Sequence, residues 1–241
     1  MPQYAMVIDL QRCVGCSACS IACRNENNVS EGVFWSNKIT ETVGVFPNVR
    51  YHYIPTLCNH CEDAPCVRGC PTSAMHKLDN GITMHDPDKC IGCRYCMFNC
   101  PYGVIYFNWE DPNKFWNNNQ AVLKGCTSTP QETADAVNKG EVPYQNPDRG
   151  KTQPAIRSRG VVEKCTFCDH LVKRGKLPYC VEACPSDARV FGDLEDKNSE
   201  VHKLLNKFKP TRIKEHLGTR PKVYYVRGFN PAHHHSSKGG V

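Results

Sequence analysis

Sixteen of the 17 cysteines in this 241-residue chain fall into four local quartets. They are Cys13, Cys16, Cys19 and Cys23; Cys58, Cys61, Cys66 and Cys70; Cys90, Cys93, Cys96 and Cys100; and Cys165, Cys168, Cys180 and Cys184. The third reads Cys90-Ile-Gly-Cys93-Arg-Tyr-Cys96-Met-Phe-Asn-Cys100-Pro101, the C-x2-C-x2-C-x3-C-P run that cages cubane iron–sulfur clusters. Three thiolates spaced two residues apart can curl around one corner of a cube, and the fourth lies a helical turn on. Gly92 frees the loop backbone to approach closely. The second quartet lengthens one interval to C-x4-C, and the fourth splits to C-x2-C-x11-C-x3-C-P. In the first, Arg24 stands where the others have proline, which changes the helix exit and leaves the ligand count intact.

Other uses of cysteine fit less well. A disulfide framework lacks such regular local spacing. Tetrahedral zinc has no need of a C-x2-C-x2-C triplet. No C-x-x-C pair is followed by histidine, as c-type haem requires, and the C-x3-C-x2-C of radical chemistry is missing. Four [4Fe–4S] clusters use sixteen thiols and leave Cys126, read as an inert free thiol. His233–His235 reads as a solvated tail segment. Arg12, Lys89 and Lys164 each precede the first cysteine of a quartet. A cation there would favour the reduced cluster, and an ordinary solvated side chain is the equal alternative.

There is no phosphate loop, dinucleotide turn or nucleophile–base pair, and fully assigned thiolates leave no open iron for a substrate. The expected function is electron transfer, with no catalytic residue. The formal charge of +6 is uneven. Residues 1–148 carry 11 basic against 15 acidic side chains, a net of −4, and residues 149–241 carry 19 against 9, a net of +10. Each oxidised cluster with its thiolates brings about −2, so the loaded protein is near neutral and no nucleic-acid partner is expected. No stretch has the length of a membrane span, and Met1–Leu10 lacks the features of a secretory leader. The chain is expected to be metallated in the cytoplasm.

The elements that must position the quartets are short. Residues 4–10, 49–54 and 102–107 read as strands, Asp79-Asn-Gly81 as a hairpin turn with return strand 82–85, and residues 20–25 as a short helix carrying Cys23. Residues 31–42 are poorly patterned. Ser199 to Phe208 reads as an amphipathic helix and 222–227 as a terminal strand. Cysteine run, Cys-Pro, small residues and strand form one half-unit. Quartets two and three make one module over 51–110; quartets one and four make an outer module, 1–50 plus 161–195. Residues 111–160 read as an irregular insertion and 196–241 as a C-terminal docking tail. The expected class is α+β, one two-cluster module inserted in another.

Both modules resemble bacterial two-cluster ferredoxins, in which the fourth cysteine of each run serves the other cluster. That resemblance implies four ligand sets: Cys13, Cys16, Cys19 with Cys184; Cys165, Cys168, Cys180 with Cys23; Cys58, Cys61, Cys66 with Cys100; Cys90, Cys93, Cys96 with Cys70. The whole pattern resembles the iron–sulfur subunits of molybdopterin oxidoreductases of the dimethyl-sulfoxide-reductase type. Stretches such as Met6-Val-Ile-Asp-Leu-Gln-Arg-Cys13, Tyr53-Ile-Pro-Thr-Leu-Cys58 and Ala183-Cys-Pro-Ser-Asp-Ala-Arg-Val190 are closer still to small subunits of respiratory arsenate reductases. The resemblance implies a large molybdopterin-containing catalytic subunit as one partner and a membrane quinol oxidase or cytochrome as electron donor. It also implies a periplasmic location, reached folded with a partner bearing a twin-arginine signal; a cytoplasmic location is the alternative. The same role in a polysulfide, thiosulfate, tetrathionate or dimethyl-sulfoxide reductase, or as a free-standing polyferredoxin, is the competing expectation.

Overall fold

The computed structural model describes residues 1–27, 29–30, 32–110 and 158–228, with single positions 128, 132 and 136 between them. Cys126, His233–His235 and nearly all of 111–160 lie outside the described residues. The elements are β1 (Tyr4–Asp9), α1 (Ala18–Asn27), β2 (Ser36–Val43), β3 (Arg50–Leu57), α2 (Pro65–Arg68), β4 (Met75–Lys77), β5 (Thr83–His85), α3 (Tyr95–Asn99), β6 (Tyr106–Phe107), β7 (Val162–Glu163), α4 (Asp169–Val172), α5 (Tyr179–Glu182), β8 (Arg189–Asp193), α6 (Glu200–Lys207) and β9 (Val223–Val226).

β1 is the centre of the larger sheet, of order β8-β1-β9. It runs antiparallel to β8, from Tyr4↔Asp193 to Ile8↔Arg189, and parallel to β9, from Met6↔Val223 to Asp9↔Val226. Its side chains alternate between two cores. Met6 and Ile8 join the main core with Phe167, Phe191 and four cysteines. Ala5 and Val7 meet Val201, Tyr224 and Val226, beside Leu204, Leu205 and Phe208 of and after α6. The expected amphipathic helix is therefore present, and its apolar stripe closes one face of this sheet.

Several expectations need correction. Residues 31–42 contain β2, paired with β3 over eight residues from Ser36↔Leu57 to Val43↔Arg50. This ribbon crosses the boundary drawn at residue 50. The expected strand over 102–107 shrinks to β6, and its partner is β7, so one bridge of sheet joins the stretch after the third cysteine run to the stretch before the fourth. Most of the described tail packs into the body: β9 lies inside the outer sheet, Lys222 N–H donates to the Asn59 carbonyl at 2.8 Å, and Arg227 Nε donates to Asp9 at 2.9 Å. The β4–β5 hairpin around Asp79-Asn80-Gly81 forms as expected.

Candidate iron–sulfur centres

The loops following β1, β3, β5 and β7 each deliver one cysteine run, and a helix of one to three turns carries its last members. Strand pairing then decides which runs meet. Because β1 lies against β8, the first run faces the Cys-Pro end of the fourth. The thiols of Cys19 and Cys184 lie near enough to Cys13 to oppose its ionisation. Around Cys23 the neighbours are Cys165, Cys180 and Cys168. Burial first, then these companions, push the Cys23 thiol well up. Cys58 and Cys100 crowd Cys61 and Cys66, and burial lifts these two to about 11 and about 12. Burial, then Cys90, Cys70 and Cys93, lifts Cys96 to about 12. The sixteen cysteines are free thiols.

Cys58, Cys61, Cys66 and Cys100 line one cavity, part of it open to solvent. Among the described residues no three ligating side chains converge as tightly as a single metal ion requires. Four sulfurs on one zinc would lie about 3.8 Å apart, given bonds of about 2.3 Å; a cube spreads its corner ligands wider. Buried thiols crowded this closely ionise only beside positive charge, which the irons of a cluster supply. The donor sets therefore fit [4Fe–4S] clusters.

The local backbone is built for anionic sulfur. After Cys70-Pro71 the N–H of Met75 donates to Cys70 Sγ at 3.4 Å, and after Cys184-Pro185 the N–H of Ala188 donates to Cys184 Sγ at 3.3 Å. Burial raises both thiols, yet these N–H groups and the neighbouring Thr72 and Ser186 hydroxyls outweigh it, and both end below the ordinary thiol range. Among the described residues no backbone N–H cradles Cys23; Asn27 Nδ2 lies 3.7 Å from its Sγ instead. With Arg24 in place of proline, α1 runs on to Asn27. Asn27 Nδ2 donates to the Cys23 carbonyl at 3.1 Å and to Cys168 Sγ at 3.5 Å. Asparagine four residues after the cysteine was the available signal.

Of the three cations preceding a quartet, two are surface groups. Arg12 pairs with Asp9 at 3.8 Å and Lys89 with Asp86 at 3.5 Å, both cations more than half exposed. Lys164 is 1% exposed and its Nζ donates to the carbonyls of Thr83 and Cys165. Sequence reasoning missed Arg189 and His60. Arg189 is 2% exposed, donates to Ser36 Oγ at 3.0 Å, and its charge acts on Cys180 and Cys19. His60 lines the cavity described above, with Thr83 and Asn59. His60 Nε2, Thr83 Oγ1 and Asn59 Oδ1 are buried without partners; the first two can donate to sulfide, the third only accepts.

Two family models match, both described as a 4Fe-4S dicluster domain, over residues 49–115 and 89–189. The arsenate respiratory reductase iron-sulfur subunit ArrB of Shewanella sp. (strain ANA-3) is 51% identical over 227 residues, which is 94% of this chain and 97% of that protein. The chain belongs to the iron–sulfur electron-transfer subunits of reductase complexes. A putative dimethyl sulfoxide reductase iron-sulfur subunit of Halobacterium salinarum is 39% identical, over 95% of this chain and 80% of that one. A selenate reductase subunit of Mesobacillus selenatarsenatis is 38% identical, over 93% and 72%. In this family the chain carries [4Fe–4S] clusters and moves electrons; the catalytic work belongs to another subunit. Among the described residues no helix is long and apolar enough to cross a membrane.

Proposed function

We propose that the chain holds four [4Fe–4S] clusters in a row and conducts electrons from a membrane quinol oxidase or cytochrome to a molybdopterin-containing subunit that reduces arsenate. The ligand sets are Cys13, Cys16, Cys19 and Cys184; Cys23, Cys165, Cys168 and Cys180; Cys58, Cys61, Cys66 and Cys100; Cys70, Cys90, Cys93 and Cys96. Each cluster supplies a one-electron site. The observation that carries this reading is the grouping of thiols from runs far apart in the chain. Contacts between sets support the order. Cys19 acts on Cys180, Cys58 acts on Cys165, and the last two sets share one core with Met75, Ile105 and Val162.

The two ends of this row are the most exposed. Cys16 and Cys93 are the exposed cysteines among the described residues. Val14 and Ile21 lie open beside the first, and Ile91, Tyr95 and Phe98 beside the second. We assign the catalytic subunit to the Cys16 end and the donor to the Cys93 end. The nested ferredoxin-like modules and a periplasmic location, reached folded with a signal-bearing partner, belong to the same proposal.

Arsenate is favoured over dimethyl sulfoxide and selenate by the higher identity to the arsenate relative. The test is anaerobic purification from the native host. We expect about sixteen irons per chain, a co-purifying large molybdenum subunit, and viologen-driven reduction of arsenate exceeding that of polysulfide, thiosulfate, tetrathionate or dimethyl sulfoxide. A chain purified with few irons, or with zinc, overturns the reading; a different substrate preference overturns only the arsenate part. Cell fractionation tests the location.

A further inference from the structure

The two middle ligand sets meet across a buried polar junction that cysteine spacing does not announce. His60 is fully buried in the loop between Cys58 and Cys61. The backbone N–H of Thr83 donates to His60 Nδ1 at 3.1 Å. An atom that accepts from a backbone amide carries no proton, so the ring's proton is on Nε2. The same Thr83 offers its carbonyl to Lys164 Nζ, which also holds the Cys165 carbonyl. One residue of β5 thus fixes the tautomer of His60 and seats a buried cation beside it. On its flat face His60 stacks on Phe167, with ring centroids 3.7 Å apart and planes 26° apart. Phe167 in turn donates its N–H to Cys165 Sγ at 3.4 Å. The ring is held in position and in orientation, and its one protonated nitrogen has no protein acceptor. A buried N–H left unpaired is costly, so a fold that aligns the ring this firmly needs an acceptor. His60 lines the cavity enclosed by Cys58, Cys61, Cys66 and Cys100.

We propose that His60 is a positioning residue that donates Nε2–H to a sulfur of the cluster held by Cys58, Cys61, Cys66 and Cys100, raising that cluster's reduction potential relative to the same cluster without the bond. The inference rests on the four-cluster reading above. The reduced cluster carries one more negative charge than the oxidised one, so a fixed donor stabilises it more. Asn27 and the N–H cradles at Cys70 and Cys184 serve thiolates of other sets, whereas His60 is the one imidazole that lines this cavity.

The test uses the full chain purified anaerobically with its clusters, followed by redox titration under electron paramagnetic resonance. His60→Leu removes the donor and is expected to make reduction of one cluster about tenfold less favourable, a 59 mV fall for a one-electron couple, with the other three unmoved. His60→Gln restores an N–H donor and recovers part of the shift. Should His60→Leu lose iron, the wild-type protein still decides. With 15N-histidine labelling, pulsed resonance on the reduced cluster is expected to show one coupled histidine nitrogen and an exchangeable proton, the nitrogen signal vanishing in His60→Gln. Four unchanged midpoints in an iron-replete His60→Leu protein, or no histidine coupling in the wild type, overturn the inference alone. A wild-type chain lacking that cluster overturns the four-cluster reading and the inference with it.

Discussion

Lys164 and Lys89 stand at the same place before their cysteine runs, yet their surroundings differ completely. Lys164 is sealed among carbonyls next to two ligand sets, and Lys89 is solvated and already paired with Asp86. Exposed ion pairs are worth about 0–1 kcal/mol and are screened by salt. Lys164→Gln is therefore expected to lower the midpoint of a middle cluster, whereas Lys89→Gln leaves all four within titration error. Arg189 faces one thiol from each outer set, so Arg189→Gln is expected to lower both outer midpoints; an unchanged pair refutes that role. A different consequence follows for His85, where burial, then the charge of Lys164, pushes the imidazole down to about 4 from 6.5. The unfolded chain binds this proton at higher pH than the folded one, so stability is full above pH 6.5 and falls as pH drops toward 4. At about 1.4 kcal/mol per unit, the loss over that window is about 3 kcal/mol. Denaturant midpoints of wild type and His85→Gln between pH 5 and 7.5 check this: the wild-type curve slopes and the variant's flattens.

Gly92 shows what the cysteine loops ask of their elements. Its φ is +70°, and a Cβ there would lie 2.3 Å from the Gly160 carbonyl oxygen. The close approach expected of this glycine is thus made to another stretch of backbone. Gly92→Ala carries about 1–2 kcal/mol of left-handed backbone cost before the clash. It is expected to lower the melting temperature and the iron content together; unchanged values refute the packing argument. The cysteine runs, the β4–β5 hairpin and α6 were legible in the sequence because spacing, turn chemistry and helical periodicity are local signals. β2 was not: Ser36–Val43 is mostly solvent-facing, so it has no buried face to alternate, and its strand character comes from pairing with β3. β6 was misjudged because its mate is β7, more than 50 residues on. Arg189 and His60 were illegible for the same reason, since the groups that define them, Ser36 and Thr83, lie 153 and 23 positions away.

At the scale of the molecule, the apolar surface beside Cys16 and Cys93 separates conduction from docking. Phe98, 84% exposed, contributes little to the core. Phe98→Glu is expected to slow reduction by the donor several-fold while leaving melting temperature and midpoints unchanged; equal rates refute the assigned donor end. The sheet order β8-β1-β9 has a further meaning for how the protein is made. The first strand leaves the ribosome with neither neighbour yet translated. Its parallel mate begins at Val223, and the companion thiols of the first run begin at Cys165. The inner runs are complete once Cys100 has emerged, so iron can enter there during synthesis, while the outer pair must wait for Cys184 and for the β9 strand that flanks β1. A product of stalled translation would be only half a conductor.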